Sequence, residues 1–395
     1  MEDMDARRPL VSVIIATFNR AHIIAPSLES ALQQTLTDYE IIVVDDGSTD
    51  TTREFLSRRY GDRIRYIGKA TNEGLASARN TGIEASRGTY IALLDDDDLW
   101  LPEKLSLQVD RAQKNPSLGL VYCGAYKVNE EGAVLEQIKP WKRGTIFEDM
   151  LYRNYLLGPA SIALIKKDVL NETGYFDKNL CPCADWDMWI RISQCAAVDF
   201  IEEPLVHYVL HDKNMHKDIA GMEKDTFAIL DKYWPSFVQE KGCFERRNKT
   251  YSDHCIHFAR HYYKGGEREA FKRLLYRALE YYPLNQVTIQ DNDVIEKEHA
   301  LFEVFNDFWS KRTGPEDSAN KKKSYTAHYS TIAWEYYHRH DLKRFRRSIA
   351  RAFYHSFPRM PVRLAIPFFK SYLGRDIADG IHRVRERFLK GRAGV

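Results

Sequence analysis

Residues 90–102 read Tyr90-Ile-Ala-Leu-Leu-Asp-Asp-Asp-Asp-Leu-Trp-Leu-Pro102, an apolar run that ends in four consecutive aspartates. The apolar residues predict a buried strand, and Pro102 marks the start of a helix. Four carboxylates at a strand end favour a divalent cation such as Mg²⁺ or Mn²⁺, which takes oxygen ligands. The segment therefore predicts a metal and diphosphate site. The alternative is a solvated turn in which one aspartate caps the next helix.

Strands and helices alternate on the N-terminal side of this segment. Residues 11–16 and 40–44 are continuous apolar runs typical of strands buried on both faces, and residues between them repeat at helical spacing. Residues 64–67 predict a third strand, and a further helix follows from Asn72. This alternation predicts a doubly wound, mostly parallel α/β sheet that binds ligands outside the carboxyl ends of its strands.

Polar side chains follow three of these predicted strands. Thr17 follows the first strand, Asp45 and Asp46 follow the second, and Asp95 to Asp98 follow the fourth. We expect the three loops to meet in one crevice, although Asp-Gly at residues 46 and 47 also suits an ordinary turn. The sequence has no Gly-rich dinucleotide fingerprint and no Gly-Lys-Ser or Gly-Lys-Thr phosphate loop, so a metal would have to meet the phosphate charge.

Length and composition are typical of a two-domain globular protein. The chain has 395 residues, of which 44% are hydrophobic and 29% charged. No uncharged apolar stretch is long enough to span a bilayer, and the acidic start is unlike a secretory leader, so we expect a cytoplasmic protein. The six cysteines include Cys181-Pro-Cys183, which lacks the spacing of common zinc or redox motifs, and free thiols are expected.

Four segments resemble the successive motifs of family 2 glycosyltransferases of the GT-A fold. The resemblance covers roughly residues 9–215, and the order and spacing of the motifs are more specific than any one of them. The segments are residues 11–20 (VSVIIATFNR), 41–50 (IIVVDDGSTD), 72–82 (NEGLASARNTG) and 94–102 (LDDDDLWLP).

This resemblance implies an inverting transferase that uses a nucleotide-diphosphate sugar, with a UDP-sugar first among the donors, and Mn²⁺ or Mg²⁺. Thr17 and Asp46 match residues that contact the nucleotide base, and Arg79 lies where the base and ribose approach. A surface salt bridge is the alternative for Arg79. The metal and ribose motif of the family, usually Asp-x-Asp, corresponds to Asp95, Asp96 and Asp97, with Asp97 as the expected direct metal ligand.

Inversion requires a carboxylate that removes the proton of the attacking hydroxyl. The resemblance assigns this role to Asp185, with Asp187 as the competing candidate and a simple helix N-cap as the structural alternative for Asp185. Ala184 replaces the Glu that family members often carry before this Asp, which puts the usual acceptor contacts of that Glu in doubt. His211 matches a His that supports metal or diphosphate, whereas His207 is expected to be structural.

The C-terminal part has a helical pattern. We expect a catalytic domain over residues 1–215 and an all-α region over 216–395 with two tetratricopeptide-like hairpins that repeat at an offset of about 74 residues. The hairpins could pack on the catalytic domain or on a second chain, as a homo-oligomer. Lys and Arg far outnumber Asp and Glu in residues 343–395. This basic, amphipathic tail suits an anionic membrane surface better than nucleic acid, and a helix packed on the domain is the alternative.

The sequence therefore predicts a metal-dependent glycosyltransferase acting on a saccharide or lipid-linked acceptor, in surface polysaccharide or glycolipid synthesis, in the cytoplasm or at the inner face of the membrane. Two other hypotheses stay open at this point. One is a sugar nucleotidyltransferase, although the loop after the first strand is not the Gly-rich, basic loop that such an enzyme needs. The other is a non-catalytic scaffold that binds partners through the helical repeats.

Overall fold

A computed structural model describes residues 8–212 and 214–281 of the chain. The chain divides into two compact units, Met1–Glu240 and Lys241–Val395. The division of the catalytic and helical regions at residues 215 and 216 stays a prediction. The second predicted hairpin and the basic tail over residues 343–395 lie outside the described residues.

Within the described ranges, nine strands form a single sheet in the first unit. The strands are β1 (Val11–Thr17), β2 (Tyr39–Asp45), β3 (Arg65–Gly68), β4 (Tyr90–Asp95), β5 (Leu99–Trp100), β6 (Leu118–Val128), β7 (Val134–Ile138), β8 (Ala163–Lys166) and β9 (Ala197–Val209).

The N-terminal half of the sheet is parallel. Its strands lie in the order β3-β2-β1-β4, and each neighbouring pair is parallel. All seven residues of β1 are buried, as expected of a β-branched apolar strand covered by helices on both faces. This half confirms the α/β class and places the ends of β1, β2 and β4 at one edge.

The second half of the sheet is mixed. Strand β8 runs antiparallel to both β4 and β6, and β9 runs parallel to β6. Strands β5 and β7 pair antiparallel with β9 and β6. The description "mostly parallel" therefore applies to the N-terminal half and not to the whole sheet. Strand β7 has four exposed residues and one buried one, so its sequence carries no clear burial pattern.

Ten α-helices are described. They are α1 (Ile24–Leu32), α2 (Thr52–Tyr60), α3 (Leu75–Ala85), α4 (Lys104–Lys114), α5 (Phe147–Met150), α6 (Lys167–Thr173), α7 (Ala184–Cys195), α8 (Ile219–Lys241), α9 (Phe244–Lys264) and α10 (Arg268–Tyr281).

Helix α3 packs closely on the parallel half. A Cβ atom added at Gly82 would lie 3.3 Å from both the Ile14 Cγ1 and the Val44 Cγ2 atoms and closer still to Ile14 Cγ2. Glycine at this position therefore allows the helix to approach β1 and β2. The close approach positions Arg79, one turn earlier in α3, at the carboxyl edge of the sheet.

Helix α7 buries the apolar stripe that its sequence predicts. Met188 and Ile192 are completely buried, and Trp189 is nearly so. Asp185 is the second residue of the helix, and the N-cap residue is Cys183. The simple N-cap interpretation of Asp185 is therefore wrong.

The capping interpretation of the four-aspartate segment is also wrong. Helix α4 begins at Lys104, its N-cap residue is Glu103, and no side chain makes a capping hydrogen bond there. The aspartates lie before β5, several residues away from the helix start. Their side chains are therefore used elsewhere.

The described part of the second unit is a pair of helices. Gly265, Gly266 and Glu267 join α9 to α10, and Gly266 adopts the left-handed conformation with φ of 79°. Ala259 and Phe271, which belong to the first predicted repeat, are buried. A helical C-terminal region is confirmed, while its tetratricopeptide character stays a prediction. No described helix is both long and apolar enough to cross a bilayer.

Candidate active site

The loops after β1 and β2 are joined at the carboxyl edge of the sheet. The Asn19 side chain accepts hydrogen bonds from the backbone N–H groups of Thr49 and Asp50, at 2.8 and 3.3 Å. Asn19 has a φ of 55°, in the left-handed region that Asn tolerates better than most residues. The backbone N–H of Asp46 also donates to the carbonyl oxygen of Thr17, at 2.9 Å. The two loops therefore form one surface.

Thr17 connects this surface to the four aspartates. Its hydroxyl donates to the Asp96 Oδ2 atom at 2.7 Å, and both residues are buried. Burial and the neighbouring Asp97 raise the pKa of Asp96 to about 7. The predicted site residues Thr17, Asp46 and Asp96 are thus brought together from three separate loops, as expected from the strand pattern.

Asp46 has partners for both of its carboxylate oxygens. Lys69 Nζ lies 2.7 Å from Oδ1, and the backbone N–H groups of Glu73 and Gly74 donate to Oδ2 at 3.1 and 2.7 Å. Lys69 also contacts Glu73, at 3.0 Å. Sequence reasoning missed Lys69, which follows β3 at the same edge of the sheet. The contacts fix the position of Asp46, and its role in base recognition stays a prediction.

Asp45 is part of an ordinary turn, the structural alternative to a role in ligand binding. Its Oδ1 atom accepts a hydrogen bond from the backbone N–H of Ser48 at 2.8 Å, within the turn at Gly47. Its Oδ2 atom accepts a hydrogen bond from the Tyr66 hydroxyl at 2.7 Å, and burial together with this bond raises the pKa of Tyr66. Asp45 is therefore a turn residue in this structure, unlike Asp46.

Arg79 forms an ion pair with Asp95. The pair is not the surface salt bridge considered as an alternative, because Arg79 is only 6% exposed. Its guanidinium carbon also lies 5.2 Å from the ring centroid of Phe176. Arg79 and Asp95, both predicted to contact the nucleotide sugar, are thus adjacent to each other.

Asp98 connects three segments of the site. Its Oδ2 atom accepts a hydrogen bond from the Ser161 hydroxyl at 2.6 Å, and its Oδ1 atom accepts one from the Val209 N–H at 3.3 Å. The Ser161 oxygen in turn accepts a hydrogen bond from the Asp95 N–H at 3.0 Å. Complete burial raises the pKa of Asp98 well above its usual range, and the charges of Asp95 and Asp97 add to this effect.

Asp97 and His211 lie side by side. The Asp97 Oδ2 and His211 Nε2 atoms are 2.9 Å apart, although the two residues are 114 positions apart in the sequence. Asn214 orients the loop, since its side chain accepts a hydrogen bond from the His211 N–H at 2.6 Å and donates to the Val209 carbonyl at 3.1 Å. The guanidinium of Arg20 lies 4.0 Å from the same Asp97 oxygen.

The pair fits the predicted role in metal binding. Adjacent ligands of an octahedral Mg²⁺ ion lie about 3 Å from each other, since each is about 2.1 Å from the metal. The described residues contain no group of three or more His, Cys, Asp or Glu side chains arranged to hold an ion. Such an ion often has one or two protein carboxylates and takes its other ligands from water and substrate phosphates. Asp97 and His211 therefore stay the predicted metal ligands.

Asp185 and Asp187 have different surroundings. Asp187 is completely buried, and its carboxylate accepts hydrogen bonds from Lys232 and Tyr233 at 2.7 Å each and from Arg191 at 3.0 Å. Asp185 is half-buried and accepts a hydrogen bond from the N–H of Trp186 at 2.7 Å. The structure thus places Asp187 in an ion-pair network.

The electrostatic surroundings of Asp185 place it at the site. Burial raises the pKa of Asp185 to about 6, while the Arg79 guanidinium acts in the opposite direction and Asp95 adds to the increase. Asp185 is therefore close enough to Arg79 and Asp95 to interact with both charges.

Tyr208, near the end of β9, also belongs to this region, and sequence reasoning missed it. Burial raises its pKa, and the charges of Asp98, Asp95, Asp97 and Asp185 add to the increase. Its hydroxyl lies 2.7 Å from the Nδ1 atom of His216. The adjacent His207 instead packs edge to face with Tyr126, with 5.9 Å between ring centroids, as expected of a structural residue. The position of Tyr208 three residues before His211 was the sequence signal that could have placed it in this region.

These features define an α/β protein with an acidic site at the carboxyl edge of its parallel strands. The family model for Glycosyl transferase family 2 matches residues 12–174. An uncharacterized glycosyltransferase of Rickettsia typhi is 34% identical over 236 residues, which are 59% of this chain and 72% of the relative. The chain belongs to glycosyltransferase family 2.

Other relatives are much longer than the matched part of this chain. Chondroitin synthase of Escherichia coli is 32% identical over 231 residues, which are 57% of this chain and 32% of that protein. The chain also spans about a third of the length of other curated relatives that it matches, at 38% and 34%. Among solved structures, TarS residues 1–349 of S. aureus in complex with UDP-GlcNAc has a TM-score of 0.47 and 15% identity, covering 86% of this chain and 90% of that one.

Proposed function

We propose that the chain is a metal-dependent, inverting glycosyltransferase that moves a sugar from a nucleotide-diphosphate sugar to a hydroxyl of a saccharide or glycolipid. The observation that carries the proposal is the convergence of Asp46, Asp97 and Asp185 from distant parts of the chain. Hydrogen bonds through Thr17 connect Asp46 to the aspartate segment that contains Asp97, and Asp185 interacts electrostatically with Arg79 and Asp95, which form an ion pair. Family membership supports the reaction class.

The donor would lie over the parallel half of the sheet. Asp46 and Thr17 are held rigidly at the ends of β2 and β1, where ligands of α/β sheets bind. In this proposal they contact the base, and Arg79, Asp95 and Asp96 contact the ribose and sugar. Because these side chains are already hydrogen-bonded to one another, little conformational entropy is lost when the donor binds.

Asp97 and His211 would hold Mn²⁺ or Mg²⁺. The bound ion would neutralise charge on the diphosphate that leaves. Arg20 supplies a second positive charge beside Asp97, at 4.0 Å, and a guanidinium suits a phosphate oxygen geometrically.

Asp185 would be the general base. The hydroxyl oxygen of the acceptor forms a bond to the anomeric carbon while the bond to the diphosphate oxygen breaks, and the hydroxyl proton moves to the Asp185 carboxylate. A pKa of about 6 leaves this carboxylate mostly ionised at neutral pH yet more basic than an ordinary aspartate. Attack from the side opposite the diphosphate inverts the configuration at the anomeric carbon.

Polysaccharide synthesis is the proposed context, in part because two similar proteins are chondroitin synthases. A lipid-linked saccharide acceptor would place the enzyme at the inner face of a membrane, where the basic residues 343–395 would face an anionic surface. Association of two chains through the helical region is a further proposal.

The test is a panel of UDP-, GDP- and dTDP-sugars screened with the full chain for thermal stabilisation with and without Mn²⁺. A ligand at about 100 times its Kd stabilises the native state by about 2.7 kcal/mol. We expect one nucleotide class to stabilise the protein in the presence of Mn²⁺, and EDTA to remove the effect. The Asp97→Asn variant should lose the Mn²⁺ dependence, and Arg58→Gln, an exposed cation on α2, is the control.

The same assay separates the competing hypotheses. Formation of a glycosylated acceptor and a free nucleoside diphosphate supports transfer, whereas release of pyrophosphate from a nucleoside triphosphate and a sugar phosphate would indicate a nucleotidyltransferase. Stabilisation by none of the sugars would remove the proposal. Family membership already opposes a non-catalytic scaffold.

A further inference from the structure

An aromatic and basic surface lies outside the acidic site. It consists of Trp141, Lys142, Arg153 and Tyr155, and we name it the aromatic surface. The Trp141 and Tyr155 rings meet edge to face, with centroids 5.1 Å apart and planes inclined by 70°. Trp141 is 52% exposed, although large aromatic side chains are usually buried. The half-buried Tyr155 ring and the exposed Trp141 ring form a corner against which a flat apolar group can rest.

The backbone beneath this surface is fixed. The hydroxyl of the buried Tyr122 donates to the Lys142 carbonyl oxygen at 2.8 Å and accepts a hydrogen bond from the Lys142 N–H at 3.1 Å. Tyr122 itself lies on β6 in the centre of the second half of the sheet and packs edge to face with Phe200, at 5.7 Å between centroids. The backbone next to Trp141 is therefore held to the core by the hydrogen bonds between Lys142 and Tyr122.

The aromatic surface carries two cations, one of which is paired with a carboxylate. Lys142 Nζ lies 5.2 Å from the Trp141 ring centroid, 5.0 Å from that of Tyr155 and 2.8 Å from Asp149. The guanidinium carbon of Arg153 lies 4.7 Å from the Tyr155 centroid. In the described part of the chain no carboxylate forms an ion pair with Arg153, so its hydrogen-bond donors are available to an anion.

The segment that carries the surface is attached to the active site at two points. The carbonyl oxygen of Met150 accepts a hydrogen bond from the Trp186 indole at 2.8 Å, next to Asp185. Farther along the chain, Ser161 contacts Asp98 and the backbone of Asp95. The chain segment that carries the aromatic surface thus also contains Met150, which contacts the neighbour of Asp185, and Ser161, which contacts Asp95 and Asp98.

We propose that the aromatic surface binds an anionic saccharide, the growing acceptor, as it leaves or enters the active site. This inference rests on the proposed function and names its acceptor class. The C–H face of a sugar ring packs on the exposed Trp141, and Arg153 binds an acidic group of the saccharide, either a carboxylate or a phosphodiester. Cations beside an aromatic ring discriminate between a charged saccharide and a neutral one of equal length.

The test measures binding of four probes to the full chain by titration calorimetry at two salt concentrations. The probes are a hyaluronan hexasaccharide, an oligosaccharide of similar length whose sugars are joined by phosphodiesters, neutral chitohexaose and vesicles of phosphatidylglycerol. We expect at least one anionic oligomer to bind about tenfold more tightly than chitohexaose, a difference of about 1.4 kcal/mol, and to weaken as salt increases. The preferred oligomer identifies the acid group.

Two variants and two controls complete the design. Trp141→Ala and Arg153→Gln should each weaken binding of the preferred anionic oligomer by about tenfold, which is the effect expected when one important interface side chain is removed. Phe244→Ala removes another exposed aromatic ring and Arg58→Gln another exposed cation, and neither should change binding. Equal binding of charged and neutral hexasaccharides, or unchanged binding in both test variants, would overturn the proposal, and binding of vesicles alone would indicate a membrane surface instead.

Donor binding distinguishes the two proposals. Trp141→Ala should leave stabilisation by nucleotide sugar and Mn²⁺ unchanged, because the ring contacts of Trp141 are with Tyr155 and Lys142 and not with the side chains proposed to bind the donor. If no donor stabilises the wild-type chain, the proposed function fails, while the oligosaccharide titrations still report on the aromatic surface.

Discussion

Two acidic regions of this protein differ in how their carboxylates are paired. In the loop after β2, Asp46 has a lysine and two backbone N–H groups on its two oxygens. At the start of α7, Asp185 is bonded to the backbone beside it, and burial raises its pKa to about 6. A fully paired carboxylate is suited to hold a ligand in place. A carboxylate with an increased pKa is suited to accept a proton.

The strongest test of this comparison is Asp185→Asn. Without a general base, we expect the turnover number to fall by about 10²- to 10⁴-fold. Donor stabilisation with Mn²⁺ should be preserved, because the donor contacts lie on other elements. The measurement is kcat for transfer together with thermal stabilisation by the donor, and full turnover in the variant would remove Asp185 from this role.

Asp187→Asn, two residues farther along the same helix, should have the opposite effect: a loss of stability with much of the activity retained. The substitution weakens a completely buried network with Lys232, Tyr233 and Arg191, and we expect a loss of about 3 kcal/mol in the free energy of unfolding. Denaturant titration measures this loss. Under conditions where the variant is folded, residual transfer should far exceed that of Asp185→Asn, and a stable but inactive Asp187→Asn protein would contradict the comparison.

The difference in stability between the wild-type chain and the Asp185→Asn variant should depend on pH in a defined direction. The pKa of Asp185 is 3.8 when unperturbed and about 6 in the folded chain, so the unfolded state releases its proton first as pH rises. The wild-type chain therefore loses stability relative to the variant between these values, by about 3 kcal/mol, and the difference is constant above them.

Unfolding of both proteins at pH 4, 5, 6 and 7.5 measures this difference. The same substitution that removes activity should thus stabilise the fold at neutral pH. A variant less stable than wild type at pH 7.5 would show that the Asp185 carboxylate is stabilised rather than strained by its surroundings.

The smallest predicted effect concerns Tyr208. Tyr208→Phe removes the hydroxyl that lies 2.7 Å from His216 and faces the site carboxylates. A single hydrogen bond contributes about 0.5–1.5 kcal/mol, so we expect kcat/KM for the acceptor to fall by roughly 2- to 12-fold. Steady-state kinetics with varied acceptor checks this, with Tyr175→Phe as a control for the loss of a hydroxyl on an exposed surface.

Those parts of the candidate site that are encoded by adjacent residues could be predicted from the sequence. The apolar runs of β1, β2 and β4 and the aspartates that follow them identify the sheet edge because strand burial and strand ends are encoded in adjacent residues. Lys69 was missed, since its contact with Asp46 spans 23 residues and a lone lysine after a short strand carries no pattern. The family resemblance favoured Asp185 over Asp187, but no local pattern in the sequence shows how the surroundings of the two aspartates differ.

The partners that distinguish these two aspartates lie far along the chain. Lys232 and Tyr233 are 45 and 46 residues from Asp187, on a helix whose packing direction no periodicity specifies. Strand β5 has only two residues, too few to show alternation. What could not be predicted is therefore the tertiary pairing of side chains, and this pairing is what distinguishes Asp185 from Asp187.

Asp98 has a consequence for any attempt to re-engineer this enzyme. Its side chain joins the aspartate loop, the turn at Ser161 and the last residues of β9, which lead into His211. A chimaera that exchanged one of these segments with a relative would leave a buried acid without its partner. The three segments should therefore be exchanged together.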